Sequence, residues 1–129
     1  MSHTIARHLR DRLSERGVDA GFGIVGDYAL RLFSALDAEG FPILCTADEQ
    51  GAGFAADAYA RLRGLGVVAI TYGVGAFKVA NAVAGAWAEQ VPLLVVSGAP
   101  GLGERAGNPM LHHKVKSFQT QSEVFAHLT

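Results

Sequence analysis

Apolar positions along the chain gather into four short runs, and the segments between them carry apolar residues at helical spacing. Ahead of the first run, Ile5, Leu9 and Leu13 recur every fourth residue with charges between them; Thr4 stands where a cap belongs and Gly17 where a helix would stop, which predicts a surface helix. Phe22 to Val25 reads as a strand, and Leu30, Phe33 and Leu36 follow at helical spacing. Ile43 to Thr46 precedes an Ala-rich helix from about Glu49 to Arg63, and Val67 to Thr71 precedes a helix around Ala76 to Glu89. Leu93 to Ser97 is the fourth strand.

Strands that are apolar on both faces and alternate with helices belong to parallel sheets covered on both sides, joined by right-handed crossovers. The expected fold is therefore an open parallel α/β sheet with helices on both faces. After Gly98 the pattern breaks into a Gly- and Pro-rich loop from Ala99 to Pro109 that leads to Leu111, His112 and His113. Loops of that length inside a compact domain tend to be functional or disordered. A weakly helical segment from about Thr120 to Leu128 ends the chain.

The 129 residues are half apolar, enough for one core, so a single globular domain over 1–129 is expected. Eleven Lys and Arg are dispersed among twelve acids and the net charge is −1, with no basic stripe to hold nucleic acid or a membrane surface. No apolar stretch reaches the roughly 18 residues that suggest a membrane span, and the charge-alternating N-terminus lacks the pattern of a signal or transit peptide. The lone Cys45, inside the apolar run Pro42 to Thr46, is expected as a buried thiol in a reducing, cytoplasmic setting.

In an open α/β sheet, ligands bind beyond the carboxyl ends of the strands. Those positions here are Gly26-Asp27-Tyr28, Ala47-Asp48-Glu49-Gln50, Tyr72-Gly73-Val74-Gly75 and Gly98-Ala99-Pro100, so Asp27, Glu49 and the histidine pair could share one rim. Each also has a plainer explanation. Asp27 suits a helix cap, and Glu49 suits the positive end of a helix dipole. Two adjacent histidines without a third ligand nearby make poor metal ligands, and no metal site is expected in this chain. Gly73 and Gly75 match a fragment of a dinucleotide fingerprint, but Lys78 stands where its third glycine belongs, so a flavodoxin-like nucleotide binder rests on fold analogy alone.

Taken jointly, VGDYALRLFSAL, ADEQGAGFAADAYARLRG, AITYGVGAFKVANAVAGAWAEQVPLLVVSGAPG and MLHH resemble the N-terminal, pyrimidine-binding domain of the thiamine diphosphate-dependent 2-oxo acid decarboxylases that act on pyruvate, indolepyruvate and phenylpyruvate. The likeness covers nearly all of residues 4 to 128. The paired histidines favour a decarboxylase over synthases of the acetolactate type, and the TYGVGAF run looks closer to the aryl-pyruvate members.

The resemblance implies that Glu49 hydrogen-bonds N1′ of the aminopyrimidine and so activates the cofactor. A glutamate in an apolar wall suits this, because desolvation favours a proton shared with the ring over a fully ionised carboxylate. It further implies that Asp27, His112 and His113 orient the 2-oxo acid and move protons, and that Gly73, Val74 and Gly75 line the pyrimidine pocket. Histidine titrates near neutrality, and glycine lets main chain approach a ring.

The family's diphosphate and Mg²⁺ ligands, a Gly-Asp-Gly followed some way on by Asn, belong to a separate domain, and no such motif occurs in these residues. The family domain also continues with a further strand and helix. The resemblance therefore implies an incomplete pyrimidine domain, inactive without a diphosphate-binding domain or subunit, within a homo- or hetero-oligomer. The alternative is a non-catalytic module of the same fold, serving as remnant, subunit or regulator. Retention of Asp27, Glu49, His112 and His113 together favours the catalytic alternative.

Overall fold

A computed structural model describes residues 4–129. Helix α1 (Ile5–Ser14) starts at Thr4, whose hydroxyl accepts the Arg7 amide, and the turn beyond it ends at Gly17 with φ +73°. The chain then alternates: β1 (Gly21–Gly23), α2 (Leu30–Ala38), β2 (Ile43–Cys45), α3 (Glu49–Arg63), β3 (Gly66–Ile70), α4 (Val74–Ala88) and β4 (Leu93–Ser97). Two short helices close it, α5 (Leu102–Arg105) within the Gly- and Pro-rich loop and α6 (Thr120–Ala126). The first strand starts one residue earlier and ends two residues earlier than its apolar run suggested, leaving Val25 beyond it and half-exposed.

All strands are parallel, in the order β2-β1-β3-β4. The register pairs Phe22 with both Leu44 and Val68, and Val68 in turn with Val95. Strand β3 is buried at every position because helices cover both faces. Val68 and Ile70 pack with Ala52, Ala56, Ala76, Val79 and Val83 of α3 and α4. Val67 and Ala69 point the other way, toward Leu13, Val18, Leu36 and Phe41 in one cluster and Ala29 and Phe33 in another. The open parallel sheet with two helical layers is the expected one.

Helices α3 and α4 lie close together. A side-chain carbon at Gly53 would come within 2.8 Å of the Ala82 methyl, so the contact needs small residues on both sides. Of the alanines along α3, Ala52, Ala56 and Ala60 form its buried face, whereas Ala58 is exposed.

One expectation fails at the edge. Cys45 is exposed, as is Leu44 beside it. Apolar character on both faces promised burial, but β2 is an edge strand and the helical layers do not reach its last two residues. The thiol is therefore expected to react with a disulfide reagent such as dithionitrobenzoate in the native chain, at one equivalent. A thiol that titrates only after denaturation would contradict this placement.

Candidate functional site

The loops at the carboxyl ends of the strands bring the sequence-selected residues to one rim, in two groups divided by the start of α4. The first group gathers Asp27, from the loop after β1, with His112 and His113. Nε2 of His113 is 3.5 Å from Oδ1 of Asp27, and the two imidazoles lie 3.7 Å apart, tilted by 45°. One ligating atom from each of the three residues falls within 4.8 Å of the others. Asp27 is no helix cap: α2 begins at Leu30 after Ala29 in the cap position, with no side-chain cap, and Asp27 Oδ1 accepts the amide of its own neighbour Tyr28, at 3.0 Å.

Tyr72 and Gly73 fasten the histidine loop to the sheet. The Tyr72 hydroxyl donates to the His112 carbonyl, and its ring meets His113 and Tyr28 edge-on. Burial, followed by the negative groups of Tyr28 and Asp27, pushes the Tyr72 phenol upward, so it stays a donor. Gly73 has φ +66°, and a side chain there would collide with the carbonyl of His113. Its amide donates to Oε1 of Gln121 on α6, at 2.8 Å.

The second group is built around Glu49, the first residue of α3. Capping is done by its neighbour: Asp48 Oδ1 accepts the Gly51 amide at 2.8 Å, which frees the Glu49 side chain from that task. The Glu49 side chain is 17% exposed, and its Oε1 faces Gly75, where an added carbon would sit 3.3 Å away. Thr71 lies against the same glycine and against Gly26, and its buried Oγ1 has no hydrogen-bond partner. Val74, the first residue of α4, leaves its side chain half-exposed beside this pocket.

The apolar wall expected around Glu49 holds a cation. Lys78 Nζ lies 3.2 Å from Glu49 Oε2 and 3.2 Å from Asp48 Oδ2. Hydrogen bonds to Asp48 first and Glu49 second raise the Lys78 amine above its usual value. Asp48 is held low by the Gly51 amide first and by Lys78 next. Sequence reasoning met Lys78 only as a missing glycine. The signal that could have found it is its position one helical turn after Val74, on a helix packed beside the one that Glu49 opens. Among the described residues no hydrogen bond or ion pair joins Glu49 to the Asp27–histidine group. A cleft of about 660 Å³ lies at the far end of α4 beside Trp87, Leu93 and Thr129, away from all of these residues.

A carboxylate with one oxygen on Lys78 and the other facing a glycine, beside an unpaired hydroxyl at the head of a helix, fits a polar, flat ring. The neighbouring imidazole–carboxylate pair fits the carrying of protons. Residues 3–124 match the family described as thiamine pyrophosphate enzyme, N-terminal TPP binding domain, and the chain belongs to that family. Membership implies thiamine pyrophosphate, also called thiamine diphosphate, as the cofactor.

Among curated relatives, the chain is 46% identical over 127 residues to indole-3-pyruvate decarboxylase of Azospirillum brasilense, covering 97% of this chain and 23% of that protein. It is 41% identical over 113 residues to pyruvate decarboxylase 2 of Oryza sativa subsp. japonica, covering 87% of this chain and 19% of the relative. With pyruvate decarboxylase 3 of Oryza sativa subsp. indica it shares 39% over 129 residues, covering 98% and 22%. The chain thus spans about a fifth to a quarter of these relatives' length. Among the described residues no helix is long and apolar enough to cross a membrane.

Proposed function

We propose that residues 1–129 are the pyrimidine-binding part of a thiamine diphosphate-dependent decarboxylase that converts 2-oxo acids to aldehydes and CO2. The observation that carries this is the Glu49 carboxylate facing Gly75, with the unpartnered Thr71 hydroxyl on the same wall. When bound, thiamine diphosphate supplies a nucleophilic carbon and an electron sink for the departing CO2.

The chain's own residues then have distinct tasks. Glu49 holds a proton between its carboxylate and the pyrimidine nitrogen N1′, and the glycines of Gly73-Val74-Gly75 let main chain approach the ring. Lys78, 3.2 Å from Oε2, keeps the carboxylate from turning into solvent and leaves Oε1 toward Gly75, where a ring nitrogen would meet it. On the other side of the α4 start, His113 and Asp27 share a proton near the substrate, with His112 beside them, and deliver it to the reacting carbon. The relatives are named for indole-3-pyruvate and pyruvate, and a 2-oxo acid is the substrate class assigned here.

Mg²⁺ and the diphosphate would be held by a diphosphate-binding domain or subunit that carries the Gly-Asp-Gly to Asn motif, which these residues do not contain. Association with that partner, in a homo- or hetero-oligomer, is supported by the unpaired edges of β2 and β4 and by exposed Leu44, Leu94 and Trp87. The exposed, unpaired Cys45 supports a reducing, cytoplasmic location.

Joined to a diphosphate-binding domain, the chain is expected to release aldehyde and CO2 from 2-oxo acids. The 129-residue chain alone, titrated calorimetrically with thiamine diphosphate and Mg²⁺, is expected to bind weakly or not at all, because most charge-assisted contacts lie on the diphosphate. Sub-micromolar binding by the lone chain, or an assembled protein that yields no aldehyde from pyruvate, indolepyruvate or phenylpyruvate, overturns this assignment.

A further inference from the structure

We propose that Asp27, His112 and His113 form a binding site for a divalent transition-metal ion of the zinc type, and that an ion held there blocks the reaction. The sequence offered two adjacent histidines without a third ligand. The fold supplies it: Asp27 arrives from the loop after β1, and its carboxylate and the two imidazoles present ligating atoms within 4.8 Å of one another.

Three observations make this more than proximity. The backbone carrying the pair is held in place, by the Tyr72 hydroxyl on the His112 carbonyl and by the His113 carbonyl packed against Gly73. On the loop's other side, Lys114 Nζ ties to the carbonyl and side chain of Asn108 and to the Pro109 carbonyl, at 2.7–2.9 Å. Little further ordering is needed before an ion can be gripped. Next, Asp27 and His112 are exposed, so an ion can arrive and water can complete its coordination. Finally, two imidazole nitrogens and one carboxylate oxygen suit Zn²⁺, Co²⁺, Ni²⁺ or Cu²⁺, whereas Mg²⁺ prefers an all-oxygen octahedron.

An ion on these atoms occupies the lone pairs that would otherwise share and deliver a proton. Blocking of the reaction rests on the proposed function; binding of the ion does not. The two parts can therefore fail separately.

The test titrates Zn²⁺ into the 129-residue chain against a chromophoric chelator, with Co²⁺ absorption as a second reporter of ligand number. One ion per chain is expected, undisturbed by excess Mg²⁺. His112→Gln, His113→Gln and Asp27→Asn should each weaken binding about tenfold or more. Glu49→Gln and His127→Gln should bind as the parent does, and circular dichroism of each variant confirms that it is folded. Absence of binding, or equal loss in His127→Gln, overturns the site. If Zn²⁺ binds as expected but leaves aldehyde release by the assembled enzyme untouched, the metal site stands and the proton-carrying role of the pair falls.

Discussion

Glu49→Gln is expected to cut turnover of the proposed decarboxylase, once assembled, by roughly 10²–10⁴-fold, the range typical of a positioned acid–base group, while leaving the fold intact. The fold should survive because Glu49 caps nothing: Asp48 satisfies the Gly51 amide, and Lys78 retains Asp48 as a partner when the second carboxylate is gone. The amide fills the same space opposite Gly75 but cannot accept and share a proton with a ring nitrogen. Asp27→Asn should behave differently, since Asp27 meets His113 and not Glu49. Hydrogen–deuterium exchange at C2 of bound thiamine diphosphate, followed by quenched-flow NMR, separates the two. Exchange should collapse in Glu49→Gln and persist in Asp27→Asn. Parent-like exchange in the glutamate variant, or equal collapse in both, removes the assignment.

Gly73→Ala is expected to be the most damaging single-methyl change at the rim. The position has φ +66° and ψ −118°, a conformation that L residues rarely adopt, and the new methyl would enter the space of the His113 carbonyl. Strained backbone of this kind costs about 1–3 kcal/mol before any collision is counted. The collision adds to it and pushes the histidine loop away from Asp27. Gly17 gives the control: its φ is +73°, but nothing lies within 4 Å of an added carbon, so Gly17→Ala carries backbone strain alone. Thermal unfolding should place Gly73→Ala several degrees below Gly17→Ala, a shift in keeping with ~4 °C per kcal/mol for domains of this size. Equal melting temperatures would falsify the packing described for the loop.

Most of the fold was legible in the sequence because its strands and helices obey local rules. Helix α3 begins at Glu49 and ends at Arg63, the bounds read for its Ala-rich stretch, and Thr4 and Gly17 bracket the first helix as caps do. What escaped depends on lateral position or on contacts between distant segments. Cys45 looked buried because an apolar run does not reveal that its strand lies at an edge. Asp27, Asp48 and Glu49 all follow strands, and only the folded chain singles out Asp48 as the cap of α3. The pairing of Lys78 with Glu49, and of Asp27 with His113, comes from the packing of helices and loops that no local pattern encodes. The positions after the strands placed Asp27, Glu49 and the histidines on one rim, but neither they nor the family resemblance anticipated the cation beside the glutamate.

The close contact of Gly53 with Ala82 has a consequence for how this protein can diversify. Glu49 and Gly75 sit at the heads of two helices whose spacing is set farther along, where neither side tolerates an extra carbon. Mutational freedom at the pocket's border, at half-exposed Val74 for instance, can thus be explored without shifting the glutamate relative to the glycine. A bulky residue at position 53 or 82 would instead pry the two heads apart and alter the cavity as a whole. Laboratory evolution of new specificity in this scaffold has its room at the rim, and its constraint lies one helical turn or more beneath it.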